Sequence, residues 1–412
     1  MNALTLSPSL KILIQLVGAQ AQPNVLCLKT IKPNVVINLY TSKTKATCGK
    51  IRDFSKEYFP QIDCRCIQFK TPEPSVQDTQ NLISECIESY ATNPDNKIII
   101  NYTGGTKPMA IGAFLAGKDN HTLVYFIDAK TLKEGVDFHD CQWSPQALTI
   151  EEILNIEGKK IKHESIEYDF NILKDLAREC LNIHTQEKKF SKQNEKTRLR
   201  FSLYPASLER VWDLKNKNTF PHSLKYKVIP HFEELMKTAN RRGISYEKAC
   251  ELCCKIGWLE HARSGSCTIS PKLNTYEKLS NANNFLDGGW WEVIVATALE
   301  EILGEEHVRW SVKTQNVEDD VLGVFKNRLL VVSCKAGYEQ KKFLTELNNL
   351  AKRADILGGK NAIPVFARYG ALKDEFVKHA KEEKILLITE HDTTNINSLR
   401  KKLMEIDIMQ AS

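Results

Sequence analysis

The chain has 412 residues, 42% hydrophobic and 26% charged, with 57 Lys+Arg against 51 Asp+Glu. This composition supports two or three domains with separate cores and excludes a disordered, collagen-like or coiled-coil-rod architecture. No apolar run approaches the ~20 residues of a membrane span, no small-residue cleavage site follows the Ile12–Val17 run, and the 12 Cys are mostly scattered. A cytoplasmic chain with reduced thiols and no membrane partner is therefore expected.

The first ~130 residues alternate strand and helix patterns. Strands are predicted at Ile12–Val17, Val35–Tyr40, Cys64–Phe69, Lys97–Tyr102 and Leu123–Ile127, with helices near Pro23–Thr30, Lys43–Tyr58, Ser75–Tyr90 and Pro108–Ala116. This order implies a Rossmann-like parallel sheet with helices on both faces, assigned to residues 1–150. The region 151–280 loses that rhythm and reads as helical and basic, with Pro205, Pro221 and Pro230 as breaks. Lys159–Lys227 holds 16 Lys+Arg against 9 Asp+Glu, so it carries +7 and the remainder −1. The densest piece, Lys188–Arg200, is either a solvated face or a surface for phosphate backbones. Ser245–Ile256 (helix, capped by Gly257) and Leu259–Ile269 (hairpin turning at Ser264-Gly265) resemble a winged helix-turn-helix. Residues 281–412 form a third α/β unit. It has a helix at Trp290–Leu303 and strands at His307–Val312 and Asp320–Phe325. A turn at Lys326-Asn327 leads into Arg328–Lys335, a helix from about Tyr338 to Leu357, and further strands at Ile363–Ala367 and Ile385–Ile388.

Two segments carry chemistry. Asn101-Tyr-Thr-Gly-Gly-Thr-Lys107 lies where a central strand passes into a helix. Its glycines permit close backbone approach, the helix N-terminus brings N–H groups and positive dipole, and Thr103, Thr106 and Lys107 add donors and charge. It is neither a Walker A loop nor Gly-x-Gly-x-x-Gly. Thr41-Ser42 ends another strand and could line the same crevice. The second segment combines Gly288-Gly-Trp-Trp-Glu292, Glu318-Asp-Asp320 and Ser333-Cys-Lys335. An acid opening one strand and a Lys ending the next is how a metal-dependent nuclease arranges its groups. Asp320 would bind Mg2+ or Mn2+, Glu292 would complete the metal shell, and Lys335 would handle the attacking water or the developing charge.

The glycine loop in its Rossmann-like setting resembles the CARF (CRISPR-associated Rossmann fold) domain. The acid–lysine pair resembles the PD-(D/E)xK nuclease motif. Together they resemble the cyclic-oligoadenylate-activated ancillary nucleases of type III CRISPR systems, in the same domain order. The resemblance implies a homodimer binding cyclic tetra-adenylate or cyclic hexa-adenylate through Thr41, Ser42, Thr103, Gly104, Gly105, Thr106 and Lys107. It implies single- or double-stranded DNA, often with RNA, as substrate in antiviral defence. It also implies a restriction-endonuclease-like fold for the last domain. One position departs: Ser333 stands where the motif has Glu. Glu318, on the same strand face as Asp320, is the first candidate to replace that charge, making Glu292, Glu318 and Asp320 the expected metal ligands; Asp319 faces away and Glu339 lies beyond Lys335. The rival is a ligand-controlled nucleic-acid-binding regulator with an impaired nuclease domain. The Cys250-x-x-Cys253 pair with His261 and Cys267 has loosely zinc-like spacing, but an apolar helix at Cys250–Ile256 makes core packing the expectation.

Overall fold

The computed structural model describes residues 9–120, 123–127, 134–136, 146–164, 170–191, 201–203, 222–261, 267–314, 317–336 and 343–411. Most of the dense basic piece (residues 192–200), Pro205, Pro221, the Ser264-Gly265 turn, Tyr338 and Glu339 lie outside them. The chain packs as two units. One comprises Met1–Ile161 with Val324–Leu330 and Arg353–Ala362, and the other Lys162–Gly323, Val331–Lys352 and Ile363–Ser412.

In the first unit, strands β1 (Lys11–Leu16), β2 (Val35–Tyr40), β3 (Asp63–Gln68), β4 (Lys97–Asn101), β5 (Leu123–Ile127) and β6 (Glu134–Val136) form one sheet in the order β3-β2-β1-β4-β5-β6. The first five are parallel and β6 is an antiparallel edge on β5. The apolar runs of β1, β2 and β4 reflect strands covered on both faces. Helices α1 (Gln22–Ile31) and α2 (Lys45–Tyr58) pack together, as do α3 (Val76–Glu88) and α4 (Lys107–Asp119). The α3–α4 contact is close: a Cβ on Gly112 would lie 2.4 Å from the Val76 carbonyl oxygen. Ile12, Ile14, Leu16, Ile37, Leu39, Ile83, Met109 and Ala113 share one core. The sheet order reverses between β1 and β4, the place where open α/β sheets receive ligands.

The second sheet runs β14-β13-β12-β11-β10-β7. Its strands are β7 (Ile161–Glu164), β10 (Val308–Thr314), β11 (Val317–Phe325), β12 (Arg328–Lys335), β13 (Ile363–Arg368) and β14 (Leu386–Thr389). β7 answers to no strand in the sequence reading, being four residues long in a charged stretch. Lys326 and Asn327 both take positive φ (50° and 58°), as a two-residue hairpin turn requires. Pro230 does not break its helix: His222–Arg241 runs through it. The hydrogen bond lost at proline is offset by the buried stripe Val228, Phe232, Leu235 and Ala239. The helix Glu247–Ile256 and the hairpin β8 (Leu259–His261)–β9 (Cys267–Ile269) form as the sequence predicts. No helix among the described residues is long and apolar enough to cross a membrane.

Candidate functional site

In the first unit, three buried amides sit side by side on neighbouring strands. Gln15 pairs in register with Asn38 of β2 and with Asn101 of β4, and all three are 0% exposed. Gln15 Nε2 donates to Asn38 Oδ1 at 2.7 Å, and Asn101 Nδ2 donates to Gln15 Oε1 at 3.4 Å. Asn101 Oδ1 in turn accepts the Thr103 N–H at 3.0 Å. Buried amides are costly unless bonded, so this ladder aligns the strand ends and fixes the start of the glycine loop. Sequence reading missed Gln15 and Asn38. Their signal was a single amide inside each of two apolar runs, at positions that become adjacent only once the register is known.

The loop after β4 crosses the loop after β1 at backbone contact. A Cβ on Gly104 would lie 2.2 Å from the Leu16 carbonyl oxygen and 2.8 Å from the Gly18 nitrogen. Gly105 takes φ +83°, a conformation that favours glycine. Thr106, extended, is the N-cap of α4, Pro108 sits in the first turn, and the Thr106 hydroxyl makes no cap hydrogen bond. Gly105, Thr106 and Lys107 are exposed, while Thr103 and Gly104 are half-buried. The positive end of α4 and the Lys107 charge thus face solvent at the switch point. Thr41 and Ser42 follow β2, two strand spacings (about 10 Å) from β4. Ser42 is exposed; Thr41 is buried and its backbone N–H donates to Thr44 Oγ1 at 3.0 Å.

In the second unit, Asp320 on β11 and Lys335 at the end of β12 face each other, with Lys335 Nζ 3.7 Å from Asp320 Oδ2. The Cys334 N–H donates to the same oxygen at 2.6 Å, and Ser333 Oγ lies 3.5 Å from it. The β10–β11 ladder skips the Ser311/Asp320 position, and Ser311 takes φ +50°. Its hydroxyl donates to Glu318 Oε1 at 2.6 Å. Asp319, as expected, turns away: it is buried and accepts from Thr314 Oγ1 at 2.7 Å.

Glu292 belongs to the first turn of the helix Trp290–Leu303. Burial, with the like charge of Asp320, pushes its carboxyl up to about 8 against the pull of Lys335. Burial also raises the Asp320 carboxyl, opposed by Lys335 and the Cys334 N–H. Burial disfavours the Lys335 charge, but Asp320, Glu346 and Glu292 outweigh it and hold the amine above its ordinary value. Lys335 is therefore a fixed ammonium.

The two tryptophans anchor the helix start. Trp291 Nε1 donates to the Ala367 carbonyl at 3.1 Å, and Trp290 stacks on His184 with ring centroids 5.0 Å apart. Arg368, 1% exposed, donates to the Lys335 carbonyl at 3.2 Å and fixes that strand end, a role sequence reading missed. Glu292, Glu318, Asp320 and Lys335 thus share one electrostatic neighbourhood. Among the described residues, however, no three carboxylates bring their oxygens within 4.8 Å of one another. The donor set is all oxygen and suits a hard cation such as Mg2+ or Mn2+.

Residues 12–156 match the family model of the Card1 CARF domain. No curated protein sequence matches the chain. Among solved structures, Can2 from Sulfobacillus thermosulfidooxidans in complex with cyclic tetra-adenylate is similar with a TM-score of 0.62 at 18% identity, over 95% of this chain and 99% of that one. Protein VC1899 from Vibrio cholerae is similar with a TM-score of 0.66 at 15% identity, over 96% and 97%. A type III CRISPR defence DNA nuclease activated by cyclic oligoadenylate is similar with a TM-score of 0.52 at 15% identity, over 90% of this chain but 48% of that one, so this chain spans about half its length. At such identities the likeness establishes fold. Residues 12–156 form a CARF domain of Rossmann type, and the chain shares its fold with Can2 and VC1899.

Proposed function

We propose that the protein is a cyclic-oligoadenylate-activated, metal-dependent nuclease of type III CRISPR defence, with a PD-(D/E)xK-type catalytic domain. The observation that carries this reading is the pairing of Asp320 with Lys335 on adjacent strands, with Glu292 within electrostatic reach of both. Thr103 to Lys107 would receive the phosphates of the ring. The ring repeats one phosphate per adenosine, so a two-fold homodimer presenting the loop twice suits it, with cyclic tetra-adenylate as the first choice.

At the catalytic site Asp320 and Glu292 would hold Mg2+ or Mn2+, with Glu318 as a further ligand. When bound, the ion supplies charge neutralisation at the phosphoryl oxygens and a more acidic water. Lys335, an ammonium fixed through its carbonyl by Arg368, stabilises negative charge developing on the phosphate. Glu292 rather than Glu318 takes the place of the acid missing at Ser333, because the half-buried Glu292 carboxyl feels the Asp320 charge directly, whereas Glu318 is exposed and held by the Ser311 hydroxyl. DNA, with RNA as a second substrate, is the expected target. The test is cleavage of labelled single-stranded DNA and RNA with Mn2+, with and without cyclic tetra- or hexa-adenylate. Cleavage that depends on the ligand and disappears in Asp320→Ala supports the reading; cleavage indifferent to both overturns it.

Ser333 and the open spacing of the carboxylates favour a second reading, a ligand-controlled nucleic-acid-binding protein. It predicts ligand-dependent duplex binding that survives Asp320→Ala and Lys335→Ala in a gel shift, without cleavage.

A further inference from the structure

The helix Glu247–Ile256 ends at Gly257 in the left-handed conformation (φ 86°), and the Trp258 N–H returns to the Cys253 carbonyl at 2.9 Å. This turn folds the chain back into β8, where His261 stands directly opposite Cys267 of β9. Cys250 and Cys254 are four residues apart and so share one side of the helix. The Cys254 Sγ, a ring nitrogen of His261 and the Cys267 Sγ all lie within 4.8 Å of one another. Cys267 Sγ is 3.8 Å from His261 Nδ1 and its thiol meets that of Cys254, while Cys250 interacts with Cys267 from one helical turn away. In a tetrahedral zinc centre the ligand atoms stand about 3.6–3.8 Å apart, given the usual Zn–S and Zn–N lengths.

We propose that Cys250, Cys254, His261 and Cys267 form a structural zinc site of the Cys3His type. Two thiols and an imidazole already converge on one point from the helix and the hairpin. Cys250, one turn before Cys254, interacts with Cys267 while its thiol lies 3.9 Å from Met236 Sδ, and a rotation of that side chain would complete the set, whereas a disulfide would engage only two of them. Soft sulfur donors select zinc over the hard cations that suit the carboxylates of the nuclease site. Four protein ligands close the shell, which fits a structural centre rather than a catalytic one. Cys253, 0% exposed, is core filling beside Cys180, so the pair that matters is Cys250 with Cys254 rather than the Cys-x-x-Cys spacing. β8 and β9 have three residues each. A hairpin that short is marginal alone, and the ion ties it to the helix. On binding, each thiol releases its proton to solvent.

The test uses the full-length protein grown with zinc, washed with EDTA and analysed by inductively coupled plasma mass spectrometry. About one zinc per chain is expected. The double variant Cys254→Ser, Cys267→Ser should lose it, and Cys66→Ser, which changes an exposed thiol of the other unit, should retain it. Replacement by Co2+ should give the intense visible bands and thiolate charge transfer of a tetrahedral sulfur-rich site. This spectrum decides the question on the unaltered protein if the double variant does not fold. Absence of zinc with no Co2+ charge-transfer band, zinc retained by the double variant, or a Cys254–Cys267 disulfide in the unreduced protein would each overturn the proposal.

Discussion

A Cβ on Gly104 would lie 2.8 Å from the backbone nitrogen of Gly18, so the loops leaving β4 and β1 touch through their main chains. No flexible side chain is there to yield, because the other near atom is the Leu16 carbonyl oxygen at 2.2 Å. Gly104→Ala is therefore expected to force the loops apart, at about 2 kcal/mol or more, and, if the loop is the proposed ligand site, to abolish binding of cyclic tetra-adenylate. Gly49 in α2 is the control: a Cβ there meets nothing within 4 Å. Gly49→Ala should raise stability by about 0.5–1 kcal/mol and leave binding unchanged. Urea unfolding and calorimetric titration check both signs.

Asn327, 1% exposed, closes the β11–β12 hairpin within the first unit. Its Oδ1 accepts the Leu148 N–H at 2.7 Å, and its carbonyl accepts the Gln22 side chain. The same two strands run on to Asp320 and Lys335, so the chain itself links the turn to the proposed catalytic pair. Asn327→Gly keeps the left-handed turn but leaves the Leu148 N–H unpaired, at about 1–3 kcal/mol. The expected outcome is intact ligand affinity with a smaller ratio of ligand-activated to basal cleavage, measured on labelled single-stranded DNA.

The strands of the first unit and its glycine loop were legible because apolar runs of five or six residues bounded by Gly, Pro and Asn have few other readings. The amide ladder was not. Gln15 and Asn38 look like isolated interruptions until pairing puts them beside Asn101. In the second unit the i, i+2 spacing correctly put Glu318 and Asp320 on one face and Asp319 on the other. It could not reveal that Ser311 binds Glu318, which depends on a break in the ladder from β10. The Cys-x-x-Cys spacing drew attention to Cys253, whereas helical geometry turns Cys254 toward the hairpin and Cys253 into the core. Arg368, in an apolar strand, was passed over because its acceptor is a main-chain carbonyl.

Asp392 predicts a pH dependence of stability. It is 1% exposed and accepts from Thr389 N at 2.7 Å, Ser398 Oγ at 2.7 Å and Lys402 Nζ at 2.7 Å, joining the segment after β14 to the C-terminal helix Ile396–Ala411. Burial alone would raise its carboxyl, but Lys402, Ser398 and Thr389 outweigh it and hold it below the ordinary value. A depressed folded-state value contributes stability that is complete above the unfolded value of about 3.9 and is lost as pH falls through the folded one. Asp392→Asn should cost about 2 kcal/mol near neutrality. That difference should shrink in urea titrations as pH falls below the ordinary carboxylate value of about 3.9.

Ser333 supplies the sharpest test of the catalytic proposal. It lies on the same face of β12 as Lys335, with its hydroxyl 3.5 Å from Asp320 Oδ2, so a longer acidic side chain there would enter the same site. If Glu292 fills the role of the missing acid, Glu292→Gln should abolish cleavage as Asp320→Ala does, at a cost on the order of 100-fold or more. Ser333→Glu should then lower the Mn2+ concentration needed for half-maximal cleavage, and the double variant Ser333→Glu, Glu292→Gln should recover part of the lost activity. If Glu318 carries that role instead, Glu318→Gln will be the variant that Ser333→Glu rescues, and Glu292→Gln will cleave normally. Ligand affinity, measured in parallel, should be unchanged in every one of these variants, since none touches the glycine loop.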